Sequence, residues 1–325
     1  MNRLACILAL TLLVPTLAAA SDAQPAPTTA RDVRSPEDTD APATPAPGAR
    51  GSVRPPNWVW IKQRVAFAVF PSGLISDTRI QLRASGLRND SIVFQNTHFG
   101  AGARVAVTPA FVDVGGHFTL APIDVFDMDL RVGVVGTFKG AASIIPFAKI
   151  TDGTLDPHRK ARKDEWASGL AVYASASPTL KVKLGPMIIF DAWTIRAIHQ
   201  RRPEGETRTY RYDAFQDLVV AWDDVTIQQQ VGVLGEILDG KKTAVTLRLG
   251  GLLKDTLAAR SKDRSTSVGF FGTFKPGRKP GWPTIAAMVL GYVTDNDRKL
   301  GAPNVTLLAQ WDLVAPMQHR HARGE

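Results

Sequence analysis

Cysteine is all but absent from this sequence. The single one, Cys6, lies in an N-terminal stretch that reads as a secretory signal. Met1, Asn2 and Arg3 make a short positive start, residues 4–17 form a leucine- and alanine-rich stretch, and Ala18-Ala19-Ala20 supplies the small residues a signal peptidase accepts, so cleavage is expected after Ala20. A chain that begins after Ala20 has no thiol, which excludes disulfides, thiol catalysis and cysteine-ligated metals. Long hydrophobic runs are missing too. The stretch at 4–17 is broken by Pro15 and falls short of the ~20 residues a membrane helix needs, and nothing downstream approaches that length.

Motifs with a defined chemistry are equally scarce. The sequence has no HExxH, no GxSxG elbow, no P-loop and no GxGxxG opening a helix, so metalloprotease, hydrolase and nucleotide-binding readings lack their usual signals. Six histidines occur, His98, His117, His158, His199, His319 and His321, and none has a ligand spacing. No metal and no cofactor is expected. The net charge of +9 gives a basic protein, but an exported chain without a basic motif interleaved with aromatics is not a nucleic-acid binder. An enzyme is therefore not expected, although serine and histidine from separate strands could still meet at the rim of a barrel and act on lipid.

Residues 21–56, SDAQPAPTTARDVRSPEDTDAPATPAPGARGSVRPP, contain no aromatic residue and are rich in proline and alanine. Such a segment cannot bury enough apolar surface to offset its ordering entropy, and a disordered tail is expected, serving as a leader, a spacer or a plug. At Trp58 the composition changes, and alternation begins. In DVFDMDLRVGVVGTF, Phe126, Met128, Leu130, Val132, Val134 and Phe138 share one parity, while Asp127, Asp129, Arg131 and Gly133 share the other, as a strand with one apolar and one polar face requires. The same period runs through TRIQLRA (Ile80 and Leu82 against Arg79, Gln81 and Arg83) and LKVKLG (Leu180 and Val182 against Lys181 and Lys183). It returns in VTIQQQVGVLGEI, KTAVTLRLGGLL and NVTLLAQWDL, with Gln229 the one polar residue on the apolar parity of the first. Glycine recurs on the polar parity at Gly133, Gly232, Gly250 and Gly269, where an enclosed lumen would need room.

DVGG at 113–116, Ser177-Pro178 and LDGKK at 238–242 read as tight turns. The segments at 151–165, 200–211, 254–264 and 295–304 read as long charged loops. Dividing residues 57–315 by roughly 20 residues for each strand with its share of connection gives about 12 strands, within a range of 10 to 14. The parity of the count depends on the segment at 210–222, YRYDAFQDLVVAW, as a barrel strand or an excursion, and on whether one or two strands lie between Val112 and Asp124.

A signal ending AAA, amphipathic strands such as DMDLRVGVVG and charged loops together resemble the bacterial outer-membrane β-barrel proteins, a porin-like class, over residues 58–315. The resemblance implies an all-β fold, an antiparallel transmembrane β-barrel, reached by Sec-type export to the outer membrane and surrounded by its lipid. It implies a passive channel for small solutes or ions. Members usually end on an aromatic residue closing the last strand, whereas here WDLV is followed by a polar tail at 316–325, which moves that assembly signal inward to 311–314. Trp58, Trp60, Phe126, Phe138, Trp166, Trp222, Phe274, Trp282 and Trp311 would suit the aromatic girdles of such a barrel. Arg79, Arg83, Asp127, Asp129, Arg131, Lys181, Lys183, Gln228, Gln230, Glu236 and Arg248 are the lumen-facing candidates, and their basic excess suggests a preference for anions. The alternatives are a lumen closed by its own ion pairs, leaving a structural or surface-binding barrel, a lipid-modifying enzyme at the rim, and a soluble periplasmic β-sandwich that binds carbohydrate.

Overall fold

The computed structural model describes residues 57–70, 72–86, 97–139, 144–152, 167–213, 218–238, 245–277, 282–293 and 303–316. The expected signal and tail at 1–56, the tail at 317–325, and Trp166, His158, His319 and His321 lie outside them. Twelve strands close into an antiparallel barrel. They are β1 (Asn57–Phe70), β2 (Ser72–Ser85), β3 (His98–Val107), β4 (Phe111–Ile123), β5 (Phe126–Thr137), β7 (Gly169–Leu184), β8 (Met187–Gln200), β11 (Asp223–Leu238), β12 (Thr246–Ala258), β13 (Arg264–Lys275), β14 (Thr284–Tyr292) and β15 (Pro303–Pro316). Neighbours in sequence pair throughout, and closure comes from β1 meeting β15, with Trp60 opposite Val314 and Val65 opposite Ala309.

Three further strands, β6 (Pro146–Phe147), β9 (Tyr210–Asp213) and β10 (Leu218–Ala221), form a separate small sheet in the order β10-β9-β6. They belong to the two long connections, 138–168 and 201–222, which leave the barrel at the end opposite both ends of the barrel chain. The segment at 210–222 is thus an excursion, and the region between Val112 and Asp124 is one strand, so the count is twelve. In the second connection Arg208 Nε donates to Glu206 Oε1 at 2.6 Å, and these side-chain hydrogen bonds hold the Glu206 carboxyl below the usual carboxylate range.

Three connections differ from the sequence reading. Residues 113–116 lie inside β4, because Gly115 permits an approach to the Val132 carbonyl that any side chain would block. Ser177 and Pro178 lie inside β7, where Pro178 pairs with Met128 of β5 and leaves the register with β8 interrupted between Ala176 and Thr179. The charged segment at 254–264 is mostly strand, turning tightly at 259–263 with Lys262 in the left-handed region (φ 62°).

Polarity in this barrel is the reverse of a water-soluble one. Outward positions carry Leu82, Phe99, Leu130, Val132, Ile195, Val268 and Leu307, with Phe270 78% exposed, whereas inward positions carry Arg64 at 2% and Gln81 at 0% exposure. A closed sheet with an apolar outside and a charged inside is built for a bilayer, since no row of unpaired backbone groups faces the hydrocarbon. The strands run from 9 residues in β14 to 16 in β7 and β11, at or above the ~9–11 needed to cross.

The inner wall of β8 and β11–β14 is less polar than alternation suggested. Ile188, Phe190, Ala192, Leu234, Leu252, Phe271, Met288 and Leu290 form one buried cluster there. Its side chains fit because glycine alternates with them in register: Gly232 lies opposite Phe190 and Leu252, and Gly250 opposite Leu234 and Phe271. At Gly133 and Gly232 the side chains of Tyr173 and Phe190 take up the space, whereas at Gly250 and Gly269 the neighbouring backbone does. A Cβ at Gly250 would lie 1.7 Å from the Val233 carbonyl oxygen, so no side chain fits without moving the adjacent strand. At Gly251, on the outward face, the nearest atom is 3.8 Å away. Gly250→Val should therefore cost at least about 1–3 kcal/mol by overpacking, read as loss or weakening of the folded, heat-modifiable band on gels, while Gly251→Ala should leave that band unchanged.

Candidate functional site

The densest ion pairing of the lumen lies on β1–β5, and the spacing of the side chains along these strands sorts this part of the interior into layers. Reading β1 from the end that holds the chain termini, the inward residues are Trp58 and Trp60, then Lys62 and Arg64, then Ala66 and Ala68. Register carries each type onto the neighbouring strands.

The first layer is aromatic and cationic. The Arg83 guanidinium stacks 3.8 Å from the Trp60 ring centroid, Lys62 Nζ lies 4.8 Å from the same ring, and Trp58 sits 6.2 Å from His98. Arg83 Nε donates to Gln81 Oε1 at 2.6 Å, and Gln81 Nε2 donates onward to Thr119 Oγ1 at 2.8 Å. Trp58 and Trp60 are inward and buried, and Trp222 is buried beside the small sheet, where its Nε1 donates to the Arg208 carbonyl at 2.8 Å. These three are therefore not girdle residues. Phe138, Phe274 and Trp282 are exposed, and Phe126 and Trp311 are part-exposed on outward positions.

The second layer is a network of guanidinium and carboxylate groups. Three arginines from three adjacent strands converge on Asp77: Arg104 at 2.8 Å, Arg79 at 3.2 Å and Arg64 at 3.9 Å. Arg79 also reaches Asp129 at 3.4 Å, Arg131 pairs with Asp129, and Arg104 pairs with Asp113. The network closes toward β15, where Arg64 Nε donates to Gln310 Oε1 at 2.9 Å, Gln310 Nε2 to Asp312 Oδ2 at 2.6 Å, and Lys62 lies 3.7 Å from Asp312. Tyr173 completes it from β7, its hydroxyl donating to Asp113 Oδ1 at 3.0 Å while Arg196 stacks 4.6 Å from its ring. Tyr173 can cross β5 only because Gly133 lies beneath it; a Cβ there would be 2.9 Å from the Tyr173 hydroxyl oxygen. Among the described residues, Arg64 Nη1, Arg79 Nε and Arg104 Nη2 are buried donors with no hydrogen-bond partner.

The third layer is apolar on β1–β8, made by Ala66, Ala68, Ile75, Ala106, Ala110, Phe111, Val135, Ala171 and Ile198, while Thr226, Thr256, Ser265, Ser267, Asn304 and Thr306 face them from β11–β13 and β15. Beyond it stands the small sheet. Leu218 and Val220 pack on Ala258, an inward residue of β12, so β10 lies against the inner side of the mouth. It is pinned there: Val219 N donates to Asp263 Oδ2 at 2.7 Å, Ser261 Oγ donates to the Val219 carbonyl at 2.7 Å, and Asp224 Oδ2 accepts from Ala221 N at 2.9 Å.

Of the residues singled out in the sequence, Arg79, Arg131, Gln228, Gln230 and Arg248 are buried on inward positions. Arg83, Asp127, Asp129, Lys181 and Glu236 are part-buried on the same parity, and Lys183 is exposed at the end of β7. Arg79, Asp129 and Arg131 share one network, Lys181 pairs with Asp127 at 2.5 Å, and Arg248 pairs with Glu236 at 3.0 Å. Sequence reasoning missed Lys62, Arg64, Asp77, Arg104, Asp113, Tyr173, Arg196 and Asp312. Asp113 stands in a sequence, DVGG, that reads as a turn, and β1 shows no clean alternation because its inward face mixes tryptophan, charge and alanine. Among the described residues no group of histidines and carboxylates is arranged to hold a metal ion.

No protein-family model and no curated protein matches the chain. Among solved structures it is similar to the β-domain of the Bordetella autotransporter BrkA (12% identity over 78% of this chain and 98% of that one, TM-score 0.42). It is also similar to the NanC porin (11% identity, 79% of this chain and 100% of that one, TM-score 0.36) and to LpxR from Salmonella typhimurium (6% identity, 78% and 99%, TM-score 0.38). At these scores the neighbours assign nothing to the lumen.

Removing one acid from the network strands the bases around it. Asp77→Ala should destabilise the barrel by about 3–5 kcal/mol, as expected when one partner of a buried pair is lost. Tyr173→Phe, which removes one hydrogen bond to a carboxylate, should cost about 1.5–3 kcal/mol. Urea unfolding followed by the fluorescence of buried Trp58 and Trp60 reads both; equal and negligible effects would mean that the network carries no stability.

Proposed function

We propose that the protein is an outer-membrane β-barrel, exported through its N-terminal signal, whose lumen admits small anions to a narrow basic constriction and holds back larger solutes. The observation that supports this most is the convergence of Arg64, Arg79 and Arg104 on the single carboxylate of Asp77, with buried N–H donors left over on all three. Water or a small anion would meet those donors, whereas a cation would face three guanidinium groups. Arg83, stacked on Trp60 toward the chain-termini end, extends the basic surface to that mouth.

A second reading, a barrel that does not conduct and acts through its surface, is favoured by the apolar side of the third layer and by the small sheet pinned inside the opposite mouth. Apolar side chains on one wall and a sheet seated in the mouth both narrow the path an ion would take. Conductance separates the two. In planar bilayers the first reading predicts small steps and a reversal potential displaced toward anions in a salt gradient. Arg83→Gln, which leaves the Asp77 network intact, and Arg131→Gln should each move that potential toward zero. Steps without anion preference, or a preference untouched by both substitutions, would remove these arginines from the path. No current from correctly folded protein would favour the second reading.

A further inference from the structure

Charge is distributed unevenly on the outside of the barrel. Among the described residues, every charged side chain on an outward position of a barrel strand, namely Asp191, His199, Asp223, Asp255 and Arg264, stands on β8, β11, β12 or β13. These four strands are consecutive in the barrel, and the other eight carry none. His199 and Asp223 are paired at the end of β8 and belong to the rim. Asp191 is different. Along β8 its outward neighbours are Met187 and Ile189 on one side and Trp193, Ile195 and Ala197 on the other, so it lies inside the apolar belt.

Gln229 is the polar exception on β11, and it stands within the belt too, between Ile227 and Val231. Its Nε2 donates to both oxygens of Asp191, at 3.1 and 3.3 Å. In register it lies directly opposite Asp255 of β12, which accepts from Arg264 Nε at 2.9 Å and from Thr266 Oγ1 at 2.6 Å. The result is one charged stripe across four strands, from Asp191 in the belt to Arg264 at the start of β13, on a surface elsewhere apolar apart from the uncharged group of Gln63, Ser76 and Thr78 on β1 and β2. A carboxylate held by a single amide is poorly satisfied in hydrocarbon, and such residues usually face protein.

We infer that this face is a contact surface for a second copy of the same chain in the membrane, the two stripes meeting about a two-fold axis along the membrane normal. The stripe supplies both halves of such a contact: carboxylates at Asp191 and Asp255, donors at Gln229 and Arg264. Two copies related by that axis bring like heights together, so that the Gln229 amide of one lies level with Gln229 and Asp191 of the other. A partner bearing only acids or only bases would leave half of the stripe unmatched. The inference rests on reading the outward face as lipid-facing.

Single cysteines test it, because Cys6 is the only native one and Cys6→Ala removes it from any uncleaved chain. In isolated outer membranes, Val231→Cys beside the stripe should crosslink to a dimer under mild oxidation, and Val132→Cys, on outward β5 two strands beyond β8, should not. Asp191→Leu with Gln229→Leu should abolish the Val231→Cys crosslink and convert the dimer seen by native mass spectrometry into monomer. Crosslinking equal at Val132→Cys and Val231→Cys, or a native monomer, would overturn the inference. So would a leucine double variant that melts higher with its dimer intact. Recovery in the soluble fraction would instead overturn the lipid-facing reading itself, which keeps the two failures apart.

Discussion

A guanidinium inside a closed barrel has no bulk water to turn to, so each buried arginine fixes where a carboxylate must be. Arg64, Arg79, Arg104 and Arg131 come from β1, β2, β3 and β5, and the acids that answer them, Asp77, Asp113 and Asp129, come from β2, β4 and β5. The pairs cross strands, so they hold only when the register is right along five neighbours. A slip of one residue would turn every one of these charges toward lipid and bring Leu82, Val105 or Leu130 inside. The network thus specifies the register of this half of the barrel, whatever its net contribution to stability, which for buried ion pairs is small or even unfavourable beside an apolar replacement.

The opposite wall is specified by shape. Where β8 and β11–β14 face the lumen, large apolar side chains alternate with glycine, and the fit is close enough that Gly232 has the Phe190 ring where its own Cβ would go, at 2.5 Å. Phe190 and Phe271 then meet edge to face at 5.8 Å between centroids. The two walls are pinned by different physics, charge pairing on one and steric interlock on the other. Both methods need glycine: Gly133 lets Tyr173 reach Asp113, as Gly232 lets Phe190 lie flat.

How much of this was legible in the sequence follows from the same division. β2, β5, β11 and β15 alternate cleanly because their inward positions are polar and their outward positions apolar, and the strand count built on such segments comes out at the observed twelve. β1 and β8 hide their faces. NWVWIKQRVAFAVF carries Trp58, Trp60, Ala66 and Ala68 inward, so both parities look apolar. In β4 the pair Gly115-Gly116 imitates a turn, although it is there for a close approach to β5. Arg79, Asp129 and Arg131 could be read as inward from local alternation, but their convergence with Arg64, Arg104 and Asp113 depends on pairings up to 246 residues apart, as between Arg64 and Gln310, which no local pattern encodes.

MIIFDAWTIRAIHQ fails to alternate for a reason that joins the inside of the barrel to its outside. Ile188, Phe190 and Ala192 point into the lumen while Asp191 points out, so over this stretch the strand has exchanged its faces relative to β5, where Asp129 and Arg131 point in and Leu130 points out. The exchange is not a register error, since Thr194 and Arg196 further along β8 are again inward and buried. It recurs beside it, where Gln229 and Asp255 are outward while Leu234 and Leu252 are inward. A wall whose apolar side chains are spent on interlocking inside has less need of ion pairs there, and its polar groups stand on the surface that the bilayer would otherwise cover. Of the strands that carry the apolar interlock inside, β8, β11, β12 and β13 also carry all the outward charges among the described barrel residues, and a lipid environment alone does not account for that third of the exterior.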